Sequence, residues 1–307
     1  MGTHDLSHKE FYSHPENVKD LLQGFVALDC VKEFDFNTLE RENGSYVEKE
    51  KGERHDDIVW RLKWHDTWVY VYIIIEFQSE IDETMPIRIM SYVSLLLLSL
   101  YTNKKLDYGK NRKLPPVLPI VLYNGKETWN VAKNVRDMIE TGSESMQKYV
   151  PNCSYYFIDE THPEANEKDT VGDGLANSVV ASMRLQRSLG TSQLQEFLTE
   201  LNQILRDENI KDKFKAFMVF LRRYLSFIYN DESFEKAKEL DEVINMTYSF
   251  RDRDREADIK EGEKKGVLNT LYNLIKKGRL TIEEAAQDIG MSIDELLAGF
   301  KKYNLAL

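Results

Sequence analysis

Cysteine is scarce in this chain: Cys30 and Cys153 are the only two among 307 residues. They form neither a metal-ligand spacing nor a disulfide framework, so a reducing cytoplasm is the expected compartment. Net positive charge is also missing. Lys and Arg number 41 against 52 Asp and Glu, a balance of −11. That excludes a protein coated in phosphate-binding lysines, but DNA can still meet a local basic strip on an acidic surface. Histidine, at six residues, forms no HExxH or paired-ligand pattern. Met1 to Glu10 is polar, without the apolar stretch of a secretory leader. No internal repeat is present. The densest apolar run, Ile87 to Tyr101, spans about 15 residues with Arg88 inside it, short of the roughly 20 needed to cross a bilayer. A buried core helix is expected there, and no membrane partner.

What remains is globular. The apolar fraction is 42% and the aromatic fraction 11%, enough for a large core in one main domain with an appendage. From Lys9 to Leu28 the apolar residues Phe11, Val18, Leu21, Leu22, Phe25 and Val26 fall near helical spacing, with Pro15 marking a helix start near Ser13 or His14. Asn43-Gly44 introduces a strand around Ser45 to Glu48. Asp57 to Trp64 and Trp68 to Phe77 read as strands about a His65-Asp66 turn, giving an antiparallel meander of three. A long helix is expected over Met85 to Thr102, a strand over Leu118 to Tyr123, a helix over Trp129 to Glu140, and a strand over Ser154 to Ile158 ending at Asp159. Helix, strands, helix and strand make an α/β sandwich pattern. Beyond about residue 165 the chain turns helical, with apolar faces over Val179–Leu189, Leu194–Arg206 and Phe214–Ile228. The mixed-charge run from Arg251 to Lys265 reads as a solvated helix or connector. The expected divisions are 1–165, a core domain; 166–250, a helical region on it; 251–265, a charged connector; and 266–307, a small helical module.

Two acids stand in awkward places. Glu76 ends the run Val69-Tyr70-Val71-Tyr72-Ile73-Ile74-Ile75, where a buried carboxylate costs several kcal/mol unless paired, protonated or bound to a cation. Side chains alternate along a strand, so Glu76 shares a face with Gln78, and Asp57 with Val59, Arg61 and Lys63. Pairing across the Trp64–Trp68 turn brings Asp57 near the level of Glu76 to Gln78. One carboxylate from each strand can hold Mg2+ or Mn2+, which makes hydroxide from water and neutralises charge on a phosphoryl group. The bland alternative stays open: structural ion pairs of these acids with Arg61, Lys63 or Arg88. Glu48, Glu50, Glu10 and Asp20 are further candidate ligands, with surface charge the default for each. His55 is a candidate base, more simply a loop histidine.

The combination Asp57-Ile-Val-Trp, then Ile74-Ile-Glu-Phe-Gln-Ser79, Met85, Arg88-Ile-Met-Ser-Tyr92, Lys113-Leu-Pro-Pro-Val-Leu-Pro-Ile-Val-Leu-Tyr-Asn-Gly125 and Trp129 closely resembles the Rpn (YhgA-like) family of recombination-promoting nucleases and transposase-like proteins. His4-Asp5 and Phe11 look like the family's start, and the likeness spans about residues 4 to 160. The resemblance implies a PD-(D/E)XK-type core followed by an α-helical region. It also implies metal-dependent cleavage of DNA, with Asp57, Glu76 and Gln78 as active-site positions. Asp159 matches another acidic family position. Gln78 stands where the wider signature has lysine; its amide can donate to a phosphate oxygen or hold a water. A cation can come instead from Lys63 or Arg88, although an Arg88 ion pair with Glu76 or Glu80 explains that residue equally well. Cutting both strands of a duplex takes two sites, so a homodimer suits the mechanism. The missing lysine and the acidic balance also fit a non-catalytic interaction or regulatory protein on a nuclease-like scaffold. A transposase is a third reading that no residue here supports directly. The segment Leu280–Leu296 has helix-turn-helix rhythm, but its second helix opens on Ser292, Asp294 and Glu295. A packing or interaction module fits better than a DNA reader.

Overall fold

The computed structural model describes residues 8–42, 57–76, 81–102, 113–125, 127–140, 142–161, 174–303 and 305, with backbone alone at 57, 72–76, 253–260 and 263. It divides into two compact units, Met1–Val243 and Ile244–Leu307.

In the first unit a helical turn at 8–11 leads into α1, Pro15–Phe25. Pro15 sits at the first helical position, where its missing N–H costs nothing and its fixed φ suits the helix. Val18, Leu21, Leu22 and Phe25 form the buried stripe. The first described strand, β1, is Phe34–Glu42, ahead of the strand expected near Ser45–Glu48, which lies outside the described residues. β2 is Asp57–Trp64 and β3 is Thr67–Glu76, joined by the expected His65-Asp66 turn, with His65 at φ +52. The three strands form an antiparallel meander, with Phe34–Glu42 as its first strand in place of the one expected near Ser45–Glu48. Between Asp35 and Glu40 the register slips, so β1 carries extra residues as a bulge.

Helix α2, Met85–Thr102, leads from β3 to β4, Val117–Tyr123, which lies parallel to β3. Strand β5, Tyr156–Asp159, is parallel to β4. The result is a mixed five-stranded sheet in the order β1-β2-β3-β4-β5. One face buries Val59, Tyr70 and Val121 against Met85, Ile89, Tyr92, Leu96 and Leu100 of α2. By length and hydropathy α2 alone among the described helices could cross a membrane; here that stripe lies on the sheet. The other face buries Ile58, Trp60, Leu62, Val69, Val71, Ile120, Leu122 and Ile158.

The expected helix over Trp129–Glu140 is instead irregular chain with one 3-10 turn, Val135–Met138. Trp129 and Val131, two residues apart, both turn toward the core, which is an extended spacing. Asn134 then bridges to Ser154 and caps the Arg136 N–H. Helical chain follows as expected: α3 Ser178–Ser188, α4 Gln193–Ile204, α5 Lys215–Tyr229 and α6 Leu240–Lys276. The charged run Arg251–Lys265 lies within α6, a helix of 37 residues. In the second unit Leu268 and Leu271 of α6 pack with Ala285 and Ala286 of α7, Ile282–Asp288, and with Leu296 and Phe300 of α8, Ile293–Lys302. Gly290, at φ +65, makes the turn between α7 and α8. Glycine adopts that left-handed backbone without a Cβ penalty.

Candidate active site

Because β3, β4 and β5 run parallel, their C-terminal ends gather at one end of the sheet. β2 is antiparallel to β3, so its first residue lies there too. The register pairs Asp57 with Ile74, Glu76 with Tyr123 and Tyr123 with Asp159. Paired residues share a face, and so do residues two apart on a strand. Asp57, Glu76, Tyr123 and Asp159 therefore occupy one face of one end of the sheet, the face that α2 covers. Glu76 lies two residues past the partner of Asp57, a diagonal of roughly 7–8 Å between Cα atoms. Asp159 is two strands from Glu76, about 10 Å. The side chains of Asp57 and Glu76 are not described, and Gln78 lies outside the described residues.

Lys63 stands elsewhere. It pairs with Trp68 at the opposite end of β2, six residues and about 20 Å from Asp57. There it is exposed, its ammonium 5.5 Å from the Trp68 ring centroid. Arg88 lies in the first turn of α2 and is half-buried. Its Nη1 donates to Asp82 Oδ2 at 2.5 Å, a partner the sequence did not single out. Asp82 also accepts from Thr84 N–H at 2.8 Å. Burial pushes the Asp82 carboxyl up, but the Thr84 and Arg88 hydrogen bonds outweigh it and hold the group below the usual range. Arg61, on the acids' face, is ion-paired to Glu40 at 2.6 Å and Glu42 at 3.1 Å.

Tyr123, between Glu76 and Asp159 in register, is fully buried and donates to Glu127 O at 2.8 Å. Burial raises its phenol, and the nearby Asp159 and Glu127 charges raise it further. Asp159 is 1% exposed and accepts from Thr161 N–H at 2.9 Å.

The lesser candidates have structural work. Glu10 is ion-paired with Arg223 of α5. Asp20, for which surface charge was the default, is buried instead. It accepts from Ser178 N–H and Oγ at the start of α3 and pairs with Lys213 at 2.7 Å. Glu48, Glu50 and His55 lie outside the described residues. Among the residues with described side chains no trio of His, Cys, Asp or Glu is placed to hold a metal. The donor set that fits one is Asp57 with Glu76: two hard carboxylate donors on neighbouring strands, the chemistry Mg2+ and Mn2+ prefer. Sequence reasoning missed Tyr12, Asn124 and Glu160, which gather on the far side of the β4 and β5 ends. The one signal for them was the second acid of Asp159-Glu160, at the close of a buried strand.

Residues 2–216 match the model of a family described as "Putative transposase, YhgA-like". Among curated proteins, the recombination-promoting nuclease RpnD of Escherichia coli O157:H7 is 30% identical over 125 residues, which is 41% of this chain and 46% of that one. RpnC of E. coli K12, also a recombination-promoting nuclease, is 30% identical over 125 residues, 41% of this chain and 40% of RpnC. A shorter K12 protein, YjiP, described as a putative inactive recombination-promoting nuclease-like protein, is 33% identical over 89 residues, 29% of this chain and 86% of YjiP. The chain thus spans less than half the length of RpnD and RpnC. No solved structure matches it at a significant level.

Proposed function

This chain belongs to the YhgA-like family of putative transposases, and on that premise we propose that it is a metal-dependent DNA endonuclease with a PD-(D/E)XK-type core. The observation that carries the reading is the register. It sets Asp57 and Glu76 on one face, at the ends of adjacent strands, where two neighbouring carboxylates repel each other unless a cation lies between them. Asp57 and Glu76 would hold Mg2+ or Mn2+, which would supply hydroxide near neutral pH and offset charge on the scissile phosphate. Gln78 donates its amide to a phosphate oxygen or orients the attacking water. Arg88, near the start of α2, steadies Asp82 just ahead of the helix. Lys63 has no part in this arrangement, since it lies at the other strand end. Cutting both strands takes two copies, and DNA in the cytoplasm is the substrate.

Purified protein is expected to nick plasmid DNA with Mg2+ or Mn2+ and to stop with chelator. Asp57→Ala and Glu76→Gln should each lose about 100-fold or more in kcat, as removal of a key electrostatic group does. Undiminished cleavage by either variant sinks the assignment. A second reading, a non-catalytic interaction protein on the same scaffold, draws on the glutamine at position 78 and the −11 charge. Calorimetric titration separates the two: folded protein that takes up neither ion favours the second.

A further inference from the structure

Two successive acids close β5, and they do different things. Asp159 lies on the face that carries Asp57 and Glu76. Glu160, only 2% exposed, reaches residues outside that row. Its N–H donates to Tyr123 O at 2.8 Å, adding a rung beyond the four residue pairs that join β4 and β5. Its carboxylate accepts from Tyr12 Oη at 2.5 Å and from Asn124 Nδ2 at 3.2 Å, with His8 Nε2 at 4.0 Å. Asn124 also donates to Gln186 of α3.

Tyr12 is fully buried and grips two strands at once. Its main-chain carbonyl accepts from Trp60 Nε1 of β2 at 3.1 Å, and its phenol holds Glu160 at the end of β5. Trp60 is three residues from Asp57 on the same strand. The short β5 is hydrogen-bonded to one neighbour only among the described strands, so its end needs an anchor from outside the sheet.

We propose that Tyr12 and Glu160 are positioning residues for the acid end of the sheet. Their hydrogen bond fixes the end of β5, and with it Asp159, relative to Asp57 and Glu76. The proposal rests on the nuclease reading of that end. Neither residue touches the reacting atoms; both act through the end of β5, whose Asp159 shares the face of Asp57 and Glu76. A buried carboxylate that accepts from the Tyr12 phenol and the Asn124 amide suits this role, because removing one of these donors weakens the hold on the strand end.

The test uses the full chain with Tyr12→Phe, Glu160→Gln and Glu160→Ala. Hydrogen exchange of amides 156–161 should speed about tenfold in Tyr12→Phe while α2 amides keep their rates. With Mn2+ at a temperature well below unfolding, kcat should fall about tenfold with KM for DNA unchanged, the scale of loss from a sub-ångström misplacement. Glu160→Gln, which keeps a hydrogen-bonding head, should lose less than Glu160→Ala. Parental exchange at 156–161 in Tyr12→Phe overturns the proposal. So does faster exchange with unchanged kcat, which makes the contact merely structural. If the unmodified protein cuts no DNA with either ion, the nuclease reading fails by itself. The exchange measurement then still decides whether Tyr12 governs the end of β5.

Discussion

Gly125 has no room for a methyl group. A Cβ there would sit 2.1 Å from the Tyr123 hydroxyl and 2.3 Å from Cζ of the same ring. That ring cannot swing aside, since it is fully buried against Trp129 and Phe157, with centroids 4.9 and 6.1 Å away. Overpacking of this kind costs about 1–3 kcal/mol. Gly125→Ala is therefore expected to lower the unfolding free energy by that amount, read as a lower urea midpoint. It should also disturb the residue that stands between Glu76 and Asp159. An unchanged midpoint would mean that the Tyr123 phenol has another place to go. The Asn124-Gly125 pair reads as a turn in sequence, but the reason for glycine is this close approach and not a left-handed backbone.

Helices α7 and α8 are short, and each begins with a reciprocal cap. Thr281 and Glu284 exchange hydrogen bonds at the first, Ser292 and Glu295 at the second. Each cap satisfies two backbone donors that the helix start leaves open. Thr281→Ala and Ser292→Ala should each destabilise the second unit by about 1 kcal/mol, read as faster amide exchange in α7 and α8. Equal rates in both variants would show that core packing alone holds these starts. The Thr281 cap, like β2, β3, α2 and β4, is legible in the sequence because its signal is local: a spacing, an alternation, a turn. β1 is not. Only Phe34 and Glu42 at its ends are buried, and the bulge erases the alternation between them. The parallel pairing of β3 with β4 depends on where α2 returns the chain, which no local pattern states. The candidate site divides in the same way. The shared face of Asp57 and Glu76 follows from alternation and a short turn. The Asp82 partner of Arg88 follows from how a loop closes. The contact of Tyr12 with Glu160 joins residues 148 positions apart, beyond any local reading.

Across the first unit, buried tyrosines set the response to alkali. Burial pushes the Tyr155 phenol up to about 12. Burial raises Tyr12 and Tyr224 as well, and the Glu160 charge adds to both. The folded state therefore keeps protons that the unfolded chain releases near pH 10. Stability from these groups is complete below about pH 10 and is lost as the pH rises toward about 12. The melting temperature should stay level from neutrality to about pH 9 and then fall. The last part of the tyrosinate absorbance, contributed by the buried phenols and not by exposed residues such as Tyr101 and Tyr149, should grow together with unfolding and not ahead of it. A flat melting temperature through about pH 12 would contradict the burial of these phenols. One more property follows from the irregular margin of the sheet. An unpaired strand edge is a template on which other chains can stack. At β1, the edge of the sheet among the described strands, that template is spoiled. The ladder slips between Asp35 and Glu40, and Asp35, Glu40 and Arg41 are exposed along it. An incoming strand would meet a bent backbone and fixed charge instead of a flat row of donors and acceptors. The bulge that hid β1 from sequence reading thus also guards the sheet against fibrous self-association at high concentration.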